Sequence, residues 1–229
     1  MTLLRFDGVS KKYPSGHLAL DELSFSVQAG EMLFITGHSG AGKSTLLKLA
    51  HLSERPSKGA VWFNEKNLNK VRGSQVALHR RSLGVVHQDH CLLLDKSVFD
   101  NVALPLLIAG IEPKQIKQRV QEALERLGLL DRAQTKSTDL STGEQQRVGI
   151  ARAITTQPTV LLADEPTGNL DPSLAADIMQ MLVSLTEQGT AIIIASHDLS
   201  LVKRMKKRVL VIDQGRLMDD ISPEELADE

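Results

Sequence analysis

Gly37-His-Ser-Gly-Ala-Gly-Lys-Ser44 fits the pattern G-x-x-x-x-G-K-[ST] at each fixed position. It stands between a short apolar run, Met32-Leu-Phe-Ile-Thr36, and a segment of helical character, Thr45-Leu-Leu-Lys-Leu-Ala50. That context limits the fold more than the pattern does. A strand that turns through glycines into a helix points successive backbone N–H groups inward around an anion, and the helix start adds positive potential. Lys43 is then placed to neutralise the outer phosphates of a nucleoside triphosphate, and the Ser44 hydroxyl to ligate Mg²⁺. The expected phosphate cradle runs through Gly37, His38, Ser39, Gly40, Ala41, Gly42, Lys43, Ser44 and Thr45. The bland alternative is a glycine-rich turn that binds nothing.

Further short apolar runs follow: Thr159-Val-Leu-Leu-Ala163, Thr190-Ala-Ile-Ile-Ile-Ala195, Val209-Leu-Val-Ile212 and Leu83-Gly-Val-Val86. Runs of this kind belong to strands covered on both faces, and helical patterns separate them. A mainly parallel α/β sheet is expected, with ligand chemistry at the carboxyl ends of its strands. The first 30 residues and the stretch from Gly59 to Asn67 instead alternate, as in Leu23-Ser-Phe-Ser-Val27 and Ala60-Val-Trp-Phe63, which predicts an antiparallel β subdomain. Between about Asp89 and Gln157 the pattern turns helical. Pro113 suits a first helical turn, Ile116, Val120, Leu124 and Leu127 follow at three- or four-residue spacing, and Gly128 suits a stop. The expectation is one domain over residues 1–229 with a helical lobe inserted at about 89–157.

Composition removes several functions. A net charge of −1 gives no electrostatic case for nucleic acid as a main ligand. The basic run Lys203-Arg-Met-Lys-Lys-Arg208 reads as a solvated helix face. Cys91 is the single cysteine, so no intrachain disulfide is possible and a reducing, cytoplasmic home is expected. The N-terminus lacks the pattern of a signal peptide. The most apolar stretch, Val102 to Ile111, contains Pro105 and Gly110 and falls short of the about 20 residues of a membrane span.

Val160-Leu-Leu-Ala-Asp-Glu-Pro166 is an apolar run ending in two carboxylates. Asp164 is placed to hold Mg²⁺, and Glu165 to polarise a water that attacks the terminal phosphate. A polar strand end entering a turn would read the same way. His197, beyond the Thr190–Ala195 run, is either structural or a hydrogen-bond partner of the terminal phosphate. Gln88 can offer its amide oxygen to Mg²⁺ or to the attacking water.

Leu140-Ser-Thr-Gly-Glu-Gln-Gln-Arg147, taken with the phosphate loop, resembles the signature L-S-G-G-Q of ABC ATPases. The resemblance spans nearly the whole chain and implies a P-loop NTPase core. It makes Tyr13 the aromatic that stacks on adenine, Gln88 the glutamine of the Q-loop and Asp164 with Glu165 the Walker B pair. Gly168-Asn-Leu-Asp171 becomes the D-loop and His197 the switch histidine. Ser141, Thr142 and Gly143, at the start of a helix, would face ATP held by a second cassette, so two copies would close head to tail over two ATPs. Thr142 departs from the family, which has glycine there. If the phosphate comes close, or φ is positive, a threonine is costly, and Thr142→Gly is expected to raise turnover.

Within the family, Thr36–Lys48, Gln88–Leu93, Asp100–Ala103 and Leu161–Asp171 resemble the FtsE group of cell-division ATPases, which partner an integral membrane protein, FtsX. That implies an ATPase on the inner face of the plasma membrane, held there by its partner and activating cell-wall hydrolysis. Leu92, Leu93, Leu94, Val98 and Phe99 are the apolar candidates for docking. Lipoprotein-releasing and macrolide-export ATPases share Pro166–Asp171 and stand as the alternative, beside a nucleotide-gated tether with negligible turnover.

Overall fold

Alternation and continuous apolar runs separate the strands into two kinds, as their spacing predicts. The computed structural model describes residues 1–168 and 170–227. In chain order its elements are β1 (Thr2–Lys12), β2 (Leu18–Gln28), β3 (Met32–Thr36), α1 (Lys43–Ala50), β4 (Lys58–Phe63), β5 (Lys66–Asn67), α2 (Ser74–Arg81), β6 (Leu83–Val86) and α3 (Val98–Ile108). There follow α4 (Pro113–Arg126), α5 (Thr142–Ile154), β7 (Val160–Asp164), α6 (Pro172–Glu187), β8 (Ala191–Ala195), α7 (Leu199–Met205), β9 (Arg208–Asp213) and β10 (Arg216–Ile221). The chain divides into two compact units, Met1–Arg80 with the chain from Ala191 onward, and Arg81–Thr190.

The first unit holds an antiparallel sheet in the order β2-β1-β4-β5. Phe6 and Phe25 face each other across β1 and β2 with rings stacked at 4.6 Å. The unit also holds β3, paired in parallel with β8 on one side and β9 on the other, with β10 antiparallel to β9. All five residues of β3 and of β8 are buried, as strands covered on both faces must be. Since Ile35 pairs with Ala195, the loops after β3 and β8 leave neighbouring strands at the same end.

Two contacts in this unit are invisible to pattern reading. Arg208 grips Asp220 with two bonds of 2.6 Å and also donates to Glu31 and the Ser26 carbonyl. The hydrogen bonds to Asp220 hold its guanidinium in the charged form. Arg208 therefore belongs to a sheet-bound ion pair. It does not lie on the solvated helix face, because α7 ends at Met205 and Lys206 turns left-handed. His79 on α2 is buried, its Nε2 sits 2.7 Å from the Ala50 carbonyl, and its ring meets Phe63 edge-on. Burial pushes its pKa below the ordinary 6.5. The folded state thus binds fewer protons than the unfolded chain, and stability is lost as pH falls from the unfolded imidazole's value through the folded one. Denaturant midpoints at pH 7.5 and 5.5 should differ less in His79→Gln than in the parent.

In the second unit β6 and β7 pair in parallel, Val86 opposite Ala163. Helices α3, α4 and α5 bury Val98, Val102, Leu106, Ile116, Val120, Leu124, Val148 and Ile150, each side chain contributing about 1.5–3 kcal/mol by leaving water. The boundaries of α4 fall where Pro113 and Gly128 predict, with Gly128 at φ +63. Val98, expected at a docking surface, is fully buried. It lies buried in the first turn of α3 and is unavailable to a partner, whereas Leu93 and Leu94 are exposed. Among the described residues no helix is long and apolar enough to cross a membrane.

Candidate nucleotide site

The phosphate loop leaves β3 and closes on α1, whose first residue is Lys43, earlier than the apolar run alone predicts. Three glycines carry the turn with φ of +149 (Gly37), +80 (Gly40) and +112 (Gly42). A Cβ at Gly37 would run into the Ile212 carbonyl oxygen, and one at Gly42 would lie 2.5 Å from the Ala19 carbonyl oxygen and 2.7 Å from Leu20 Cδ2. The backbone can therefore come this close to β2 and β9 only without side chains. The Lys43 ammonium donates to the Gly37 and His38 carbonyls at 2.7 and 3.0 Å. His38, Ser39, Gly40 and Ser44 are exposed, while Ala41 and Gly42 are buried beneath them.

Tyr13 belongs to the same unit. Its hydroxyl lies 3.3 Å from Thr45 Oγ1 on α1, and the Lys11 ammonium sits 5.0 Å from its ring centroid. Lys11 is buried, pairs with Glu54 at 2.6 Å and donates to the Arg55 carbonyl at 2.9 Å. A cation is thereby held over one face of the ring. Sequence reasoning misses Lys11, whose only signal is its place in an alternating strand. His197 follows β8, exposed, and the next residue, Asp198, caps α7 by accepting from the Leu201 N–H at 3.0 Å.

The second unit gathers the other candidates at one edge. Val86 pairs with Ala163, so the chain leaves β6 into His87 and Gln88 at the same end where β7 reaches Asp164 and Glu165. The electrostatics agree, since Asp164 acts on His87, although burial and the Arg152 charge together hold that imidazole below its ordinary value. Glu165 has φ +50, a left-handed backbone rare for glutamate. It turns the chain sharply just after Asp164, the last residue of β7. Asn169 of the expected D-loop lies outside the described residues. Its neighbour Asp171 caps α6, and the hydrogen bond from the Ser173 hydroxyl holds its carboxyl below the usual range.

The signature opens α5. Ser141 is the cap: its hydroxyl accepts from the Glu144 N–H, and Glu144 Oε2 accepts from the Ser141 N–H (2.9 Å) and hydroxyl (2.8 Å). Those bonds hold the Glu144 carboxyl below its usual range, with Arg132 at 3.3 Å supporting the charge. Gln146, buried, donates to the Pro166 carbonyl at 2.9 Å and so ties the helix to the turn after Glu165. Thr142 is the first residue of the helix and exposed. The positive φ that would have made threonine costly is not there, and only close approach of a phosphate remains as its possible penalty.

Oxygen donors suit a hard cation, and Ser44 Oγ, Asp164 and Gln88 are of that kind. Among the described residues no three of His, Cys, Asp and Glu gather as a metal site.

The family model described as ABC transporter matches residues 20–168, a span running from β2 across the phosphate loop, the signature and Glu165. The chain belongs to the ABC transporter family. It is an ATPase subunit of that family. It is 47% identical over 222 residues to the cell division ATP-binding protein FtsE of Escherichia coli K12, covering 97% of this chain and 100% of that one. To FtsE of Bacillus subtilis 168 it is 41% identical over 220 residues, 96% of each chain. Among solved structures, the ATP-binding cassette MJ0796, a dimer in a post-hydrolysis state bound to ADP and Pi, superposes with a TM-score of 0.91 at 30% identity, over 96% of this chain and 99% of that one. The cassette cbiO1 of Clostridium perfringens, part of the transporter complex cbiONQ, gives 0.89 at 32% identity, over 100% and 91%. The α/β ABC ATPase core expected from the sequence is thus the fold of this protein.

Proposed function

We propose that two copies of this ATPase close head to tail over two ATP molecules with Mg²⁺, and that the cycle drives an FtsX-like membrane protein during cell division, controlling peptidoglycan hydrolysis. What supports the division role is the 47% identity that runs through the whole of the FtsE relative. It favours this role over lipoprotein release or macrolide export. The protein would then work on the inner face of the plasma membrane, held by its partner.

Each residue has a task in this reading. Tyr13 stacks the base, and the loop from Gly37 to Thr45 wraps the phosphates, with Lys43 offsetting their charge. Glu165 takes the proton of the attacking water, His197 hydrogen-bonds the terminal phosphate, and Gln88 orients the water. Ser44, Gln88 and Asp164 would hold Mg²⁺, which neutralises charge on the phosphate oxygens. Ser141, Thr142 and Gly143 meet the terminal phosphate of ATP on the other copy from the start of α5. The tether reading leaned on Thr142, and a helical backbone there removes the backbone-strain half of that argument.

Leu93 and Leu94, exposed at 41% and 55%, are the docking residues of choice. Co-expressed with an FtsX-like partner, the chain should be recovered with the membranes, and Leu93→Asp/Leu94→Asp should lose about tenfold or more of that recovery with an unchanged thermal melt. Equal recovery of the two would remove this surface from the proposal.

A further inference from the structure

The segment leaving β6 bends in a way that ordinary side chains resist. His90 and Cys91 follow one another at φ +57 and +48, both in the left-handed region and neither of them glycine. The turn is tight: the His90 N–H donates to His87 O at 3.2 Å and the Cys91 N–H to Asp89 O at 2.6 Å. A three-residue turn closed across a residue of positive φ is the rarer, strained form. Such backbone persists only where the surroundings over-determine it, and it collects at switch regions.

One side chain holds both carbonyls. Arg152, on α5, donates from one guanidinium nitrogen to the Cys91 carbonyl at 2.7 Å and from another to the His90 carbonyl at 2.6 Å. Its charge has been drawn out of water, which pushes its pKa down. Gly149, one turn earlier on the same helix face, stands where an added Cβ would be 3.8 Å from the His90 carbonyl oxygen, so the segment lies against this face. Downstream the chain is pinned again, by the buried Asn101 of α3, whose side chain accepts from the Leu93 N–H at 2.8 Å and donates to the Leu93 carbonyl at 3.0 Å. Gln88 precedes the clamped pair, and the exposed Leu93 and Leu94 follow it.

We propose that Arg152 is a positioning residue: its two-pronged grip on the His90 and Cys91 carbonyls fastens the Gln88 segment to the signature helix. Displacement of Ser141–Gly143 at the start of α5 then reaches Gln88 and the two leucines through one rigid rod. The link between helix and loop holds in this structure by itself, while its effect on turnover rests on the reading of Gln88 given above. A lysine cannot replace the grip, since its single ammonium lacks the planar fork that meets two successive carbonyls.

Arg152→Gln and Arg152→Lys should lower kcat about tenfold and change KM for ATP less than about twofold, because the clamp touches none of the residues assigned to binding the chain's own nucleotide. Backbone amides at 90–93 should exchange hydrogen about tenfold faster or more, with those of α4 unaltered. Adding His90→Gly/Cys91→Gly to Arg152→Gln should restore kcat about threefold, since glycine adopts this backbone without help. A role in stability alone would instead lower the melting temperature and reduce activity in proportion to folded protein, with no selective change at 90–93; that result overturns the proposal, as does a kcat equal to the parent's when Gln88→Ala does lower kcat. Gln88→Ala measured alongside separates the two readings. If it leaves kcat intact, the assignment of Gln88 falls, and the amide exchange at 90–93 still decides the clamp.

Discussion

Replacing Glu165 with glutamine lowers the ATPase rate by about 10²–10⁴-fold, the usual worth of a general base, while leaving ATP affinity close to that of the parent. The substitution keeps size and polarity but cannot accept the water's proton at neutral pH. Its position explains why the effect is confined to chemistry. Glu165 stands one residue beyond β7 in a left-handed backbone that Asp164 does not share, so the carboxylate proposed to hold Mg²⁺ is left untouched. In the proposed reading, binding rests on Tyr13 and on the loop around Lys43, which belong to the other compact unit. With hydrolysis blocked, ATP should hold the closed pair, and Glu165→Gln should sediment as a dimer with ATP and as a monomer with ADP. A phosphate-release rate within about threefold of the parent would remove Glu165 from the role of base.

Gly42→Ala should be nearly as damaging by a different route. The added methyl meets the Ala19 carbonyl oxygen at 2.5 Å and Leu20 Cδ2 at 2.7 Å, on a backbone at φ +112. A side chain can yield, but a carbonyl in β2 cannot move without loosening its pairing with β1. Overpacking of this kind costs about 1–3 kcal/mol, and the unfavourable φ adds about 1–3 kcal/mol. Whatever the chain recovers by shifting the loop displaces Lys43, the next residue. A calorimetric titration with ATP should show affinity reduced about a hundredfold or more, together with a lower unfolding midpoint; parent-like affinity would mean that the loop has room that these contacts deny.

These two sites also mark what sequence can and cannot reveal. The phosphate loop, β3, β6 and α4 are legible because local chemistry decides them: glycines at forced turns, apolar runs without alternation, a proline and a glycine bracketing a helical period. The left-handed backbone at Glu165 and Cys91 has no such mark, since neither residue type announces a positive φ. Lys11 and Arg152 are illegible for a related reason. One faces Tyr13 and Glu54, the other meets Cys91 and His90 from far along the chain, and a charged residue with a distant partner looks like any surface cation. Val98 reads as an apolar surface candidate until packing shows which way α3 faces. Thr142 shows the limit from the other side: a family departure that looked costly sits on ordinary helical backbone.

For a nucleotide stacked on Tyr13 and wrapped by Gly37–Ser44, the hydroxyl bridge from Tyr13 to Thr45 makes the site a gauge of length. Both ends are fixed to α1, one through that 3.3 Å bond and the other through the helix's own first turn. A ligand with one phosphate fewer cannot slide to regain the contact it loses, because the ring and the loop do not travel independently. In that proposed pose, discrimination among mono-, di- and triphosphates would come from reach between two anchored ends.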